Sequence, residues 1–462
     1  MKVELPETIE ECHSLIRQLL EVIDELRAEV RELKAKLNQN SQNSSRPPSN
    51  DGFNQPKPAF AKPKKRRKGG QKGHRGNTLK KVETPDLTID CEPLKCDCQT
   101  PEWTEKVEII EARQVFELPQ PRLEVIEYRR LMRTCQCGKS VCGEFPEKVS
   151  ATVQYGVRVQ TLVALLSVHG CLSFGKIGQL FADLYGYQLN TATCQTMVNK
   201  TSEMMPMEAI KAGIIKAEVV HFDETGIKEN GVRKWLHTAS TEKLTYQFAD
   251  LKRGNEAMKS EKSVLPEFKG VAVHDCWGSY FGFDEMKHAT CNAHILRELT
   301  GIIENNSSKW AASMKRLLRK MYVESDYGNG IIADVGKYER SYERILKKGE
   351  KEEPRPKKTS RKGRLKRTKG RNLLERLRKY KEAVLRFATE EKVPFTNNIA
   401  ERDIRPTKIK QKVSGGFRSE NGSESYCRIQ SFISSMRKQS RQVFEELLAA
   451  IKGEGFEIYQ TC

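Results

Sequence analysis

Residues 219–226 read VVHFDETG, an apolar β-branched run that ends in two adjacent acids, Asp223 and Glu224. Such runs are typical of strands, and a turn after a strand carries its last side chains out of the core. Neighbouring side chains of a strand point to opposite faces. We therefore expect the two acids not to share one site.

A second stretch, GVAVHDCW, repeats this pattern, because Asp275 also follows a histidine and an apolar run. If the two strands are neighbours, Asp223 and Asp275 emerge at one end of a sheet. Further strand patterns occur at VRKWLHTAS and LTYQFADL, and the NG at 230–231 predicts a hairpin turn before the first of them. Three strands as a meander, a later apolar strand and following helices indicate a mixed α/β sheet.

A third acid, Glu401, lies in NNIAER. Thr396 or Asn397 is expected to cap a short helix there, and Pro406 to stop it near Ile404. Three converging carboxylates would hold two divalent cations of the Mg²⁺ type, which prefer oxygen ligands. Two ions about 3.5–4 Å apart clamp the attacking and leaving oxygens of a phosphodiester. The alternative is solvated surface charge, since the chain has 61 Asp and Glu residues.

Composition and charge favour a polyanionic partner. The 462 residues are 37% hydrophobic and 31% charged, with a formal net charge of +20 and a pI of about 9.3. This imbalance indicates nucleic acid, with a generally basic surface as the alternative. No apolar run approaches the roughly 18–20 residues that span a bilayer, and the N-terminus lacks a signal-peptide core. We expect a cytoplasmic protein of two or three domains with no membrane partner.

Residues 1–40 predict a leucine-zipper-like coiled coil. Apolar residues recur there at alternating spacings of three and four: Ile9, Cys12, Ile16, Leu19, Ile23, Leu26, Val30, Leu33 and Leu37. Ile or Val mostly at one seam position and Leu mostly at the other favour a parallel dimer, with a higher oligomer left open. The alternative is an amphipathic helix docked on its own domain. Residues 41–85 follow as a basic flexible linker, whose KKRRKGGQKGHRG is either a phosphate-contacting arm or a solubilising charge run.

Residues 86–147 contain two cysteine groups, CEPLKCDC and CQCGKSVC, on either side of a β-patterned stretch. Two thiolate knuckles brought together by a hairpin make a tetrahedral structural zinc site. Buried free thiols are the alternative, since disulfides are rare in the cytoplasm.

The remaining segments alternate between helical and mixed patterns. Residues 148–205 predict helices, with a turn at Gly186 and a cap at Asn190, which fits either a DNA-binding helix-turn-helix or an ordinary helical hairpin. Residues 301–392 are helical and very basic, and we interpret them as an insertion. They would separate a first core part at 206–300 from a second at 393–452, and 453–462 form a C-terminal tail.

Several motifs together resemble the DDE transposases of the insertion-sequence-66 family. They are NSQNSSRPPSND, GGQKGHRG, FDETGIK, WLHTAS, KRGNEA, VHDCWGSY, KHATCNAHILREL and NNIAERDIRPTKIKQKVSGGFRS. The resemblance implies a multidomain α/β protein with a ribonuclease-H-like mixed-sheet catalytic core that a helical insertion splits. The coiled coil, the zinc-binding domain and a helical DNA-binding region would precede that core.

The resemblance also assigns roles to the three acids. The family's first aspartate falls on Asp223, its second on Asp275 and its glutamate on Glu401, which leaves Glu224 on the other side of the strand. The implied activity is metal-dependent cleavage at the inverted-repeat ends of the element, with Mg²⁺ or Mn²⁺ as the cofactor, and strand transfer into target DNA. Accessory proteins of the same element are further candidate partners. Two alternatives stay open: a zinc-containing coiled-coil DNA-binding regulator without catalysis, and a ribonuclease-H-like structure-selective nuclease that cuts but does not join.

Three further groups of residues complete the prediction. The cysteine region departs from the family's commoner C-x-x-C pairs, so we choose as zinc ligands Cys96, Cys98, Cys135 and Cys137, with Cys91 and Cys142 as substitutes. Basic residues near Glu401 are expected to grip the DNA backbone, although some are ordinary surface charge: Arg402, Arg405, Lys408, Lys410, Lys412 and Arg418. A structural role is favoured over metal coordination for Cys291 and His294, one helical turn apart in CNAHILREL.

We predict that the full chain holds about one structural zinc per protomer through these cysteines. Replacing Cys135 and Cys137 together by Ser should release that zinc and unfold the cysteine domain, because structural zinc supplies folding energy. Elemental analysis of wild type and variant measures the loss. Equal zinc contents in the two proteins would contradict the predicted ligands.

Overall fold

The computed structural model describes residues 8–44, 51, 79–92, 105, 107–328, 330–356, 367–419 and 421–454. The chain divides into two compact units, each taken here over its described residues. The larger unit comprises Met1–Ala59, Phe145–Ala182 and Tyr187–Cys462, and the smaller unit comprises Phe60–Glu144 and Asp183–Gly186.

Helix α1 (Ile9–Leu37) carries the predicted seam. It starts with a capping box, in which Thr8 Oγ1 accepts from Glu11 N at 3.3 Å and Glu11 Oε2 accepts from Thr8 N at 3.2 Å. The seam side chains are exposed, with Ile16 at 52% and Ile23 at 41%. A helix docked along its seam on its own domain would bury them, so the exposed seam favours an intermolecular partner. The coiled coil stays a prediction.

The smaller unit contains a short antiparallel hairpin of β1 (Met132–Thr134) and β2 (Ser140–Cys142). The sequence also predicted strand structure before this hairpin. That prediction is wrong over residues 107–131, which form no strand. These residues are mostly exposed, so no apolar face is available to pack a sheet. An isolated two-stranded hairpin is marginally stable and needs a further constraint.

The cysteines of this hairpin are free and exposed. Cys135 follows β1, Cys137 lies in the turn and Cys142 ends β2. Hydrogen bonds from Cys137 lower the pKa of the Cys135 thiol, so the two side chains of the C-x-C pair lie close together. The predicted ligands Cys96 and Cys98 lie outside the described residues.

Four helices follow: α2 (Val157–Val168), α3 (Phe174–Tyr185), α4 (Thr191–Glu203) and α5 (Met207–Ile215). The first three lie in the predicted helical segment 148–205, whereas α5 was not predicted. Gly186 adopts the left-handed conformation expected of a turn, with φ +73°. Asn190 caps α4 by accepting a hydrogen bond from Ala192 N at 2.8 Å. The helix-turn-helix interpretation stays a prediction.

A five-stranded mixed sheet is the centre of the larger unit, in the order β5-β4-β3-β6-β7. Its strands are β3 (Val219–Glu229), β4 (Val232–Ser240), β5 (Thr245–Asp250), β6 (Val271–His274) and β7 (Lys287–Thr290), and the short helix α6 (Asn255–Met258) follows β5. The first three form the predicted antiparallel meander. Positive φ angles at Asn230 and Gly231 match the predicted hairpin turn. Both β6 and β7 run parallel to β3, and β7 was not predicted.

The remaining elements are helices that pack on the sheet or on one another. They are α7 (Asn292–Asn306), α8 (Lys309–Glu324), α9 (Gly336–Glu352), α10 (Lys369–Lys379), α11 (Lys381–Leu385), α12 (Asn398–Ser414), α13 (Gly422–Lys438) and α14 (Val443–Lys452). Helix α12 packs on β3 and β4, α13 packs on β5, and α11 packs on β7. Helices α7, α8, α9 and α10 each pack against the next one along the chain. The described part of 301–392 is thus helical, as predicted. None of the helices in the described ranges combines the length and apolar character needed to cross a bilayer.

The exposed seam of α1 generates a prediction about assembly. Replacing Ile16 and Ile23 together by Lys would bury charge in a parallel helix pair and should dissociate the protein to monomers. Sedimentation velocity of the full chain measures this. A matched control, Ser14→Lys with Gln18→Lys, adds the same charge off the seam and should sediment as wild type. Identical sedimentation of all three proteins would exclude the seam as an interface.

Candidate active site

Asp223 and Asp275 occupy matching places beyond the paired part of two neighbouring strands. Strands β3 and β6 are parallel, and their last paired residues are His221 and Val273. Asp223 follows His221 by two residues within β3, and Asp275 follows Val273 by two residues, directly after the end of β6. The two strands are therefore neighbours, as the sequence pattern required.

Strand β3 does not end at its acids, as the sequence pattern suggested. It continues to Glu229, because its second half pairs with β4 all the way to the hairpin turn. Asp223 is therefore held within a paired strand, on a more rigid support than a turn. Its Oδ1 accepts a hydrogen bond from Glu224 N at 2.9 Å, and Asp275 Oδ1 accepts from Trp277 N at 3.0 Å.

Helix α12 carries Glu401 in its first turn and is tied to β3 by Asn397. The sequence predicted that Thr396 or Asn397 caps this helix. Asn397 is the residue before the helix, but its side chain makes no capping hydrogen bond. Instead its Nδ2 donates to Phe222 O at 2.7 Å, and its Oδ1 lies 2.9 Å from His221 Nδ1. Since the carboxamide oxygen can only accept, His221 Nδ1 carries the proton. Both contacts lie beside Asp223.

A second buried contact holds α12 to the meander. Asp403 Oδ2 accepts from Ser240 Oγ at 2.7 Å and from Thr245 Oγ1 at 2.9 Å, and it pairs with the Lys438 ammonium. Asp403 is buried and Lys438 nearly so. Glu401 lies between Asn397 and Asp403 in the sequence, so these two contacts fix where its backbone lies.

Pro406 lies inside α12 and does not end it, so the predicted stop near Ile404 is wrong. The helix ends at Gly415, which has φ +71°. A proline removes one backbone hydrogen bond of a helix. The contacts of Asp403 before it, and of Gln411 after it with Gly226 O at 3.2 Å, hold the helix on both sides of that gap.

The acids form one electrostatic cluster. Burial first, and then the negative charges of Glu224, Asp275 and Glu401, raise the pKa of Asp223 to about 8. The hydrogen bond from Glu224 N lowers this pKa but does not offset the other effects. Asp275 and Glu401 thus both contribute to the electrostatic environment of Asp223.

The three carboxylates do not approach one another as closely as a second group does. Among the described residues, the ligand atoms of Cys291, His294 and Glu401 all lie within 4.8 Å of one another. Glu401 therefore belongs to both groups. The sequence pointed to Cys291 and His294, but not to their proximity to Glu401.

Glu224 has partners different from those of Asp223. Its Oε1 accepts from Arg253 Nε at 3.0 Å and Nη2 at 2.7 Å, and its Oε2 accepts from Tyr280 Oη at 2.7 Å. The Glu224 side chain is 1% exposed. Burial first, and then the charge of Asp275, raise the pKa of this carboxyl, while its hydrogen bonds lower it. Glu224 is thus a buried, paired acid next to the cluster.

Sequence reasoning missed Arg253 and Tyr280. The only signal was their presence in the motifs KRGNEA and VHDCWGSY. Arg253 also stacks between two aromatic rings, with its guanidinium carbon 4.2 Å from the Trp277 ring centre and 4.9 Å from that of Trp235. This stack fixes the arginine that holds Glu224.

The six basic residues expected to grip DNA fall into two classes. Five are exposed: Arg402, Arg405, Lys408, Lys412 and Arg418. Lys410 is buried, and its Nζ donates to Ser167 O at 2.8 Å and to Leu172 O at 3.0 Å. The DNA-contact prediction for Lys410 is therefore wrong, because two carbonyl groups of the protein hold its ammonium. Lys408 Nζ contacts Gly226 O at 3.2 Å, yet its residue stays exposed.

The chain matches two known family models. A family model described as "Transposase IS66 family" matches residues 152–425, which contain all three acids, Cys291 and His294. A second model, described as "Family of unknown function (DUF6444)", matches residues 2–80. The search of curated proteins found no match.

The contacts of Glu224 predict a structural role for it. Arg253→Met leaves the buried Glu224 carboxylate without its cationic partner and should lower the free energy of unfolding by about 1–2 kcal/mol, allowing for the partial exposure of the arginine. Denaturant unfolding measures the change. As a control, Lys269→Met breaks an exposed pair with Glu285 and should have almost no effect. Equal effects of both changes would contradict the assigned role.

Proposed function

Because the chain belongs to the IS66 family of transposases, we propose that it is a DDE-type transposase that cuts DNA at the inverted-repeat ends of its own element and joins the freed 3′-hydroxyl ends to target DNA. The observation that carries this proposal is the cluster of Asp223, Asp275 and Glu401. An antiparallel meander extended by two parallel strands, with one acid on β3 and another directly after β6, supports a ribonuclease-H-like catalytic core.

The cluster has the character of a divalent-cation site. Its donors are carboxylate oxygens, which Mg²⁺ and Mn²⁺ prefer. Burial and then repulsion by the neighbouring acids raise the pKa of Asp223, and bound cations would relieve that repulsion. Asp223, Asp275 and Glu401 would hold two ions, which when bound supply a clamp on the attacking and leaving oxygens of the phosphodiester.

The protein's own residues position the reaction. In this proposal, β3 and the end of β6 would present Asp223 and Asp275, and α12 would present Glu401. Water is the first nucleophile and the DNA 3′-hydroxyl the second, so the reaction requires no covalent link between protein and DNA. The proposal requires no catalytic side chain other than these three acids.

DNA would lie along the exposed basic residues that flank Glu401. Arg402, Arg405, Lys408, Lys412 and Arg418 are exposed on α12 and the loop after it, where they can neutralise phosphates. The net charge of +20 suits the same partner. Such contacts position a duplex but do not read its sequence. Base reading is assigned to the helices at 148–205.

Assembly and cofactors complete the proposal. A homodimer or higher oligomer through α1 would bring two element ends together, and a zinc in the cysteine domain would stabilise the β1–β2 hairpin. Accessory proteins of the same element are candidate partners, and the cytoplasm is the proposed site of action.

The test is cleavage of a supercoiled plasmid that carries the DNA flanking this gene, with Mg²⁺ or Mn²⁺. Asp223→Asn, Asp275→Asn and Glu401→Gln should each lower cleavage and strand transfer by orders of magnitude while DNA binding persists, because each removes a metal ligand. Asp223→Asn should also leave the melting temperature unchanged or raise it, since it removes a repelled charge.

Glu224→Gln is the control, because it changes a neighbouring acid that has other partners. It should retain cleavage at temperatures well below its unfolding transition. Active Asp223→Asn protein would contradict the proposed site. Cleavage without joining would indicate a nuclease, and DNA binding without either reaction would indicate a regulator.

A further inference from the structure

Cys291, His294 and Glu401 come from two helices that meet beside β6. Cys291 is the residue before α7, and His294 lies in the first turn of that helix. Glu401 lies in the first turn of α12. A sulfur, an imidazole nitrogen and a carboxylate oxygen thus all lie within 4.8 Å of one another.

Two of these three atoms have no hydrogen-bond partner. His294 Nδ1 and Glu401 Oε1 are both buried and unpaired, and they lie 3.8 Å apart. This distance is too long for a hydrogen bond between them. A buried polar atom without a partner costs about 1–3 kcal/mol, so two that face each other call for a shared partner. A cation between them would satisfy both.

The third atom is held in place by the backbone. Cys291 is 1% exposed, and its Sγ accepts a hydrogen bond from Asn397 N at 3.2 Å. Its own N–H donates to His274 O at 2.8 Å, which ties it to the end of β6. Hydrogen bonds of this kind orient the ligands of a metal. A purely structural role accounts for the thiol, but it would join Nδ1 and Oε1 only as an ion pair at 3.8 Å and would leave both atoms without a hydrogen bond.

We propose that Cys291, His294 and Glu401 bind one Zn²⁺ ion, at a site distinct from the carboxylate site of Asp223 and Asp275. Cys, His and Glu are the ligands that zinc takes in proteins, whereas Mg²⁺ prefers oxygen alone. Tetrahedral zinc places its ligand atoms roughly 3.3–3.7 Å apart, so separations of up to 4.8 Å need to close by about 1.5 Å at most. The fourth position stays open for water.

This site deepens the proposed function because it shares Glu401 with it. A zinc ion on Oε1 fixes the rotamer of Glu401 and leaves Oε2 for the ions between the carboxylates. Glu401 would then be held at its backbone by Asn397 and Asp403 and at its side chain by zinc.

Cobalt is the probe, because Co²⁺ replaces Zn²⁺ and gives a thiolate-to-metal absorption band. The full chain is freed of metal and loaded with Co²⁺ alone, and bound cobalt is measured with the absorption spectrum. Cys291→Ser and His294→Gln should each bind about one cobalt fewer per chain than wild type. Cys427→Ser is the matched control, since it changes another buried thiol that is not in the group. It should load as wild type. Asp223→Asn should lose none of the thiolate-to-cobalt absorption, since it changes only the carboxylate site.

His294→Gln guards against misfolding, because His294 is 24% exposed and tolerates an amide better than the buried Cys291 tolerates a hydroxyl. Unchanged cobalt content in both ligand variants would overturn the proposal. Loss of the same thiolate-to-cobalt absorption from Asp223→Asn would also overturn it, because the thiolate-bound ion would then depend on the carboxylate site. Cobalt binding as expected in a protein that cuts no DNA would contradict the proposed function and leave this site standing.

Discussion

The attachment of α12 to the sheet is the constraint on which the candidate site depends. Asn397 joins the start of the helix to His221 and Phe222 on β3, and Asp403 joins it to Ser240 and Thr245 on the meander. Breaking a buried charge pair such as Asp403 with Lys438 typically costs 3–5 kcal/mol. Glu401 sits between these two contacts. Without them, an acid nearly 180 residues after Asp223 in the chain would have no fixed position relative to it.

The negative charges of the clustered acids destabilise the fold in this region. The sheet brings Asp223 and Asp275 together and α12 adds Glu401, so burial and repulsion raise the pKa of Asp223 to about 8. Glu224, equally buried, avoids part of this cost through Arg253 and Tyr280. Adjacent acids on one strand thus divide into one that is paired by the protein and one that is left with like charges. A raised pKa of a buried acid among like charges is typical of functional sites.

Much of this arrangement follows from local patterns in the sequence. The NG turn, the cap at Asn190 and the acids after two apolar runs all predicted contacts that the structure has, because each depends on a few neighbouring residues. The continuation of β3 to Glu229 depends instead on pairing with β4, and the survival of α12 past Pro406 depends on side-chain contacts with the sheet. The burial of Lys410 by the carbonyls of Ser167 and Leu172 is equally non-local. Strand β7 was not predicted because its four residues are too few to show a strand pattern.

Direct proof that Asp223 binds a metal ion would come from changing the metal preference of the reaction. Asp223→Cys replaces a hard oxygen ligand by a soft sulfur, which Mn²⁺ tolerates better than Mg²⁺. The measurement is DNA cleavage by this variant and by wild type in each metal, with Glu224→Gln measured beside them. We predict that Asp223→Cys is inactive in Mg²⁺ and regains part of its activity in Mn²⁺, while the ratio of the two rates is unchanged in Glu224→Gln. Wild-type activity of Asp223→Cys in Mg²⁺ would contradict a metal-binding role for Asp223 and, with it, the proposed catalytic site.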